Sequence, residues 1–285
     1  MKIKKIIIVL LLCFLPIASF AQKVGETLPA WEEGYMDIHH INTGCGECAY
    51  IILPDGTTML IDAGENKAGN PRHVSPKPNA SRTPGEWIVD YIKTMAPVQK
   101  QKLDYALITH FHSDHMGGVL KMKNESGRYY NTGIITVAEN LQIGMLVDRG
   151  FPDYNFLVNT EDKMIKNYFN FLHFTKRKIN VEQFVPGVDN QFRLLYDSTR
   201  YAGRFKIQNI YANGWLWTGK EHEKRYLFPD FDTLEKYDIP QENTLSCAIK
   251  IVYGNFSYYT GGDVTGYPKP GRGTFHDVET WMAPV

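Results

Sequence analysis

The sequence has little cysteine, no excess charge of either sign, no low-complexity stretch and no short-period repeat. Its 31 basic side chains balance 31 acidic ones, which argues against a protein that coats nucleic acid through a general basic field. Four cysteines in 285 residues exclude a disulfide-built miniprotein. The 43% hydrophobic content excludes disorder, and the length is enough to bury a sizeable core.

Residues 1–21 read as a secretory signal peptide. Lys2, Lys4 and Lys5 precede an apolar run from Ile6 to Ile17, and Ala18-Ser19-Phe20-Ala21 supplies small residues before Gln22. The run is shorter than the roughly 20 residues of a membrane span, so no stable span is expected after cleavage. The chain is therefore expected to be exported, to the periplasm or beyond a bacterial cell. Removing three lysines leaves the mature chain, 22–285, slightly acidic. Cys45, Cys48 and Cys247 then form an odd set that defines no disulfide framework. Cys45-Gly46-Glu47-Cys48 has redox or zinc spacing, but it lacks a second cysteine pair for zinc and a helix N-terminus for redox work.

Short apolar runs at Met36–Asn42, Ala49–Leu53 and Thr58–Ile61 predict strands, the last two joined by a Pro54-Asp55-Gly56 turn. A polar stretch from Glu65 to Thr83 reads as a surface loop. Pro84 opens a helix through Met95 with Trp87, Ile88, Tyr91 and Ile92 on one face, and Leu103–Thr109 follows as a buried strand. This order indicates layered α/β architecture. Residues of about 129–240 read as an aromatic-rich insertion, with helix around Glu161–Thr175 and strand-like pieces at Phe205–Tyr211 and Trp215–Trp217. Tyr211, Trp215 and Trp217 are core or the wall of a pocket. A second hairpin, Ala248–Tyr253 and Phe256–Thr260, ends in Gly261-Gly262-Asp263 much as the first ends in Asp62-Ala63-Gly64.

The chemistry concentrates in Thr109-His110-Phe111-His112-Ser113-Asp114-His115-Met116-Gly117-Gly118, which places four potential metal ligands within six residues after an apolar strand. Alternate side chains of extended backbone share a face, so His110 and His112 can approach one metal. After the turn, Asp114 and His115 can point at a second. Imidazole suits zinc, and the aspartate also tolerates iron or manganese.

His-x-His-x-Asp-His after a strand, with an upstream hairpin ending in Asp-Ala-Gly, resembles the metallo-β-lactamase superfamily. Met36–Glu65 and Asn243–Asp263 resemble more closely the hydrolase domain of ComEC/Rec2 DNA-uptake proteins and their secreted bacterial relatives. The resemblance implies a four-layer αββα sandwich and two divalent ions, zinc foremost. It implies that His110 and His112 bind the first ion, Asp114 and His115 the second, and that Asp263 bridges them. Asp62 would orient the ligand loop by hydrogen bonds or only stabilise its own turn; Asn243 would face the metals or cap locally.

Two departures stand out. No Gly-His pair lies between His115 and Asp263; His173 reads as packed in a helix and His222 as a solvated loop residue, while His39 and His40 read as structural. Beyond Asp263 only His276 follows, in a context unlike the family's final His, so the second half is expected to be truncated. The resulting expectation is an exported metal-dependent hydrolase whose paired ions, roughly 3.5–4 Å apart, supply hydroxide to a phosphodiester or related ester, with Asp114 orienting it or relaying its proton. A lactone or amide substrate, or a secreted binding protein on a degenerate hydrolase scaffold, are the alternatives. Substrates are small molecules or phosphodiesters; nucleic acid is chemically possible but unsupported by charge, and oligomeric state is not legible.

Overall fold

The computed structural model describes residues 25–65, 71, 73–97, 102–118, 120–175, 178–266 and 273–285, so residues 1–21, expected to be a signal peptide, lie outside the described residues. Two units are distinguished, Met1–Ala30 and Trp31–Val285. The described part of the first, residues 25–30, is exposed irregular chain.

The second unit is built from alternating strands and helices. In chain order it runs β1 (Asp37–His40), β2 (Ala49–Ile52), β3 (Thr58–Ile61), α1 (Pro84–Met95), β4 (Lys102–Leu107) and the one-turn α2 (Ser113–Met116). It continues through β5 (Met122–Lys123), β6 (Tyr130–Asn131), α3 (Gly133–Asn140), β7 (Gln142–Asp148), α4 (Lys163–Thr175) and β8 (Asn180–Gln183). The last part holds β9 (Phe205–Ala212), β10 (Trp215–Trp217), β11 (Lys224–Tyr226), β12 (Ala248–Tyr253), β13 (Phe256–Thr260) and α5 (Val278–Met282). The first sheet has the order β1-β2-β3-β4-β7-β8 and the second β11-β10-β9-β12-β13.

Local chemistry accounts for the clearest elements. The β2–β3 hairpin closes where Gly56 takes φ +79° and Asp55 Oδ1 accepts the Thr57 N–H at 2.9 Å. Thr83 and Glu86 form a capping box before Pro84, which fixes the start of α1. From β3 onward the chain makes helical crossovers, so β3, β4, β7 and β8 are parallel neighbours.

Strand alternation divides the apolar residues between layers. Ala49, Ile51, Met59 and Ile61 face Ile207, Ile249 and Ile251 of the second sheet. Tyr50, Ile52 and Leu60 face the opposite way, against Ile88 and Ile92 of α1, Ile134 of α3 and Tyr168 and Phe171 of α4. Beyond the second sheet, Ile210, Leu216 and Ala248 pack with Val278 and Met282 of α5. Helices, sheet, sheet and a thinner outer layer follow in succession, the αββα arrangement expected from the sequence.

Three sequence expectations change. On α1 the buried positions are Gly85, Ile88, Val89 and Ile92, with Trp87 and Tyr91 only half-buried. A Cβ at Gly85 would stand 2.8 Å from Thr136 Cβ, so close approach to α3 sets the helix rotation. Residues 129–240 are woven into both sheets rather than standing apart from them: β7 and β8 belong to the first, β9 to β11 to the second. His173 is exposed rather than packed, because α4 buries Ile165, Tyr168 and Phe171, and two residues beyond Phe171 the helix faces outward.

Leu60 is fully buried between the first sheet and its helices. Leu60→Ala is expected to lower unfolding free energy by about 2–5 kcal/mol with an unchanged slope in urea titration.

Candidate metal centre

Parallel pairing of β3 with β4 sets Ile61 opposite Leu107, so the segments leaving the two strands emerge side by side. Asp62, first after β3, therefore meets Thr109 and His110, just beyond β4. Clefts at the carboxyl ends of parallel strands are where α/β folds bind ligands. The second sheet joins through the Cys247 N–H to Thr109 carbonyl bond at 2.8 Å. Beyond β13, a Cβ on Gly262 would stand 2.5 Å from Thr109 Oγ1, so glycine at φ +53° lets the Asp263 turn settle against Thr109.

Asp62 is buried. Its Oδ1 accepts the Thr109 N–H at 2.7 Å, and its Oδ2 accepts the Thr109 hydroxyl at 2.6 Å and His115 Nδ1–H at 2.7 Å. Because the Thr109 hydroxyl proton is committed to Asp62, Thr109 Oγ1 can only accept from His110 Nδ1, 3.2 Å away. The hydrogen-bond pattern thus assigns a protonated Nδ1 to both histidines; His115 Nε2 is left toward Asp263, and His110 Nε2 faces His112 Nδ1 at 3.0 Å.

One donor atom from each of His110, His115 and Asp263 lie within 4.8 Å of one another. Asp263 Oδ1 stands 3.2 Å from the buried His115 Nε2, an ion pair of loose geometry that is the one polar contact of that nitrogen among the described residues. Two imidazoles and a carboxylate converging in this way fit a divalent ion of the zinc type. Asn243 Nδ2 reaches Asp263 Oδ2 at 3.4 Å.

The other sequence candidates are not part of this convergent set, although His112 borders it. His112 is exposed, with Nδ1 3.0 Å from His110 Nε2. Asp114 turns its Oδ2 toward Cys45 Sγ at 3.9 Å, while its carbonyl accepts the Glu47 N–H at 3.0 Å. His39 bonds Tyr91, the exposed His222 reaches the Gly187 carbonyl, and the buried His276 pairs with Asp238. Cys48 and Cys247 are buried free thiols.

Electrostatics favour a cation. Burial and the neighbouring His115 and His112 hold His110 down to about 2, keeping it neutral. Burial alone would also lower His115, but Asp263 and Asp62 flank the ring and lift it to about 10. Glu47 is raised to about 7, by burial first and then by Asp62. Its carboxylate shares a second convergent group with Asp62 and His115. Asp62 and Asp263 thus set negative potential on both sides of one imidazole, which a bound cation offsets.

Sequence reasoning missed Glu47 and a buried ion pair behind the ligand loop. Arg149, fully buried after β7, donates Nε–H and Nη2–H to Glu242 Oε1 and Oε2 at 2.7 and 2.5 Å. Glu242 Oε1 also accepts the Phe111 N–H at 2.8 Å, between His110 and His112. The Arg149 guanidinium covers the Phe111 ring at 4.8 Å. The signal available in sequence was only a charge beside the Asn243 element.

A cleft of about 1190 Å³ lies alongside, lined by His40, His73, Arg82, Trp87, Tyr91 and Glu65 among others. None of the convergent metal donors lines it. Tyr211, Trp215 and Trp217 do not line it either: Tyr211 is core, its hydroxyl donating to the Thr244 carbonyl at 2.6 Å, and Trp215 is exposed.

Residues 42–127 match the profile of the Metallo-beta-lactamase superfamily, whose members are generally metal-dependent hydrolases. The mixed α/β architecture is consistent with that fold. Among solved structures, unliganded yeast PDE1 aligns at 11% identity and a TM-score of 0.37, over 84% of this chain and 68% of that one. Zn(2+)-bound PqqB from Methylobacterium extorquens aligns at 9% identity and a TM-score of 0.32, over 75% of this chain; the chain spans about half (52%) of that protein's length. No curated protein matches the sequence. No helix among the described residues is long and apolar enough to cross a membrane.

His115 is raised from 6.5 to about 10, so in the metal-free protein its contribution to stability is full below pH 6.5 and is lost as pH rises toward 10. Urea midpoints of the metal-free protein are expected to fall across that window. Zinc requires the neutral ring, so the stabilisation it adds should grow over the same window. A zinc increment that shrinks as pH rises would contradict the assignment.

Proposed function

We propose that the chain is an exported metal-dependent hydrolase, related to the ComEC/Rec2-type hydrolase domains, that cleaves a phosphodiester or related ester. The observation that carries this reading is the convergence of donor atoms from His110, His115 and Asp263 within 4.8 Å of one another.

A divalent ion held by His110, His115 and Asp263 would supply a water of lowered pKa and would stabilise charge on the scissile oxygen. The protein's own part is to hold the donors. Asp62 keeps the Nδ1 protons of His110, through Thr109, and of His115 away from the site, so both rings present Nε2. Asn243 steadies the partly exposed Asp263 from the second sheet. In this reading His112 and Asp114 would supply donors to a second ion, with zinc, manganese or iron as candidate ions. In the same reading Asp114, whose Oδ2 faces Cys45 Sγ in this structure, would turn to orient the attacking water.

The test is hydrolysis of bis(p-nitrophenyl) phosphate and of a lactone panel by the purified chain loaded with zinc or manganese. The diester is expected to be cleaved in a metal-dependent way, with His110→Ala slowing it at least ~100-fold. Equal rates for both proteins would remove the hydrolase reading. Fewer than about one ion per chain with no turnover would favour a binding protein on the same scaffold. Export is tested separately: protein recovered from the periplasm or medium of an expressing bacterium should begin at Gln22, and an N-terminus at Met1 would refute cleavage.

A further inference from the structure

We infer that Glu47 is a positioning residue that ties the Asp263 strand to the His110 and His115 loop, acting as a hydrogen-bond acceptor rather than through its charge. The inference rests on the reading of His110, His115 and Asp263 as a metal centre.

The three donors come from both sheets. His110 and His115 follow β4 of the first, whereas Asp263 hangs three residues beyond β13 of the second. Their separation depends on how the two sheets are held at this edge. Glu47, in the turn between β1 and β2, is fixed to the first sheet by its backbone: its N–H donates to the Asp114 carbonyl and its carbonyl accepts the Gly64 N–H, both at 3.0 Å. The fit around it is tight. A Cβ on Gly46 would stand 1.8 Å from the Asp114 carbonyl oxygen, and one on Gly64 2.1 Å from the same atom. Glycine on both sides therefore lets the turn, the segment after β3 and α2 lock together. From that anchored backbone the Glu47 side chain crosses to the second sheet, where its Oε1 accepts the Thr260 hydroxyl at 3.1 Å. Thr260 is the last residue of β13 and is buried.

Charge does not explain the placement. Glu47 converges with Asp62 and His115 and lies near Asp263, so an ionised Glu47 attracts His115 but repels two carboxylates of the same centre. Its hold on Asp263 therefore runs through Thr260. The Cys45-Gly46-Glu47-Cys48 turn then serves the site through its glycine and glutamate; Cys48 is core.

The test measures zinc affinity of the full chain against a chromophoric chelator, with no substrate involved. Glu47→Gln keeps the acceptor and should bind zinc within about twofold of wild type. Glu47→Ala and Thr260→Val should each weaken binding on the order of 10–100-fold, and the double variant should be no weaker than the worse single one. The visible spectrum of the cobalt(II) protein should change in Glu47→Ala and Thr260→Val but not in Glu47→Gln, and far-ultraviolet circular dichroism should show all variants folded. Thr260→Val with wild-type affinity overturns the inference. Glu47→Gln as weak as Glu47→Ala also overturns it, by assigning the carboxylate to the ion itself. Unchanged affinity in His110→Ala would instead bring down the metal-centre reading, and this inference with it.

Discussion

Asp62 places a buried carboxylate between the ends of two parallel strands, and its two oxygens accept three hydrogen bonds there. A buried carboxylate without partners is costly, so the segment after β4 must fold back to supply the Thr109 N–H, the Thr109 hydroxyl and the His115 ring. Burial pushes the Asp62 pKa up, and those donors oppose the push. The same hydrogen bonds set the proton positions on two histidines. One carboxylate therefore specifies both the backbone path of the ligand loop and the lone pairs it presents, and the sandwich beneath serves to hold β3 and β4 parallel and in register.

The parts of this arrangement legible in sequence are those encoded by neighbours along the chain. Pro54-Asp55-Gly56 announces its hairpin because positive φ at Gly56 and the Asp55 side chain are local requirements. Thr83-Pro84 and Glu86 announce α1 in the same way. The dense His110 to His115 run reads as a ligand segment because no core needs four such side chains together. What sequence does not reveal is which of those ligands converge. Asp114 is close to His115 in sequence, yet the one-turn α2 aims it toward Cys45, whereas Asp263, 148 positions beyond His115, comes within 3.2 Å of that ring.

Glu47 and Glu242 were illegible for a related reason. Their partners lie 213 and 131 residues away, and nothing in their immediate context separates them from solvated charges. The middle of the chain hid its role differently. Strands such as β8 and β11 are short and largely polar, so they carry no strong alternation, and their place in the two sheets follows from pairing partners distant in sequence. The aromatic residues there read ambiguously as core or pocket wall; Tyr168, Phe171 and Tyr211 are core.

The Arg149 and Glu242 pair shows why the ligand loop needs support from both sides. Removing two charges from water costs several kcal/mol per ion, so a fully buried Arg149 persists only where its donors are answered. Glu242 answers it bidentately, and the Phe156 carbonyl and Asn213 side chain take further donors. The spare capacity of Glu242 Oε1 goes to the Phe111 N–H, so the backbone between His110 and His112 is held from behind by the second-sheet side of the molecule. Asp62 grips the same loop from the first sheet. A donor cluster assembled from both sheets keeps its geometry only if the loop cannot slide between them, and these two carboxylates, the buried Asp62 and the half-buried Glu242, remove that freedom.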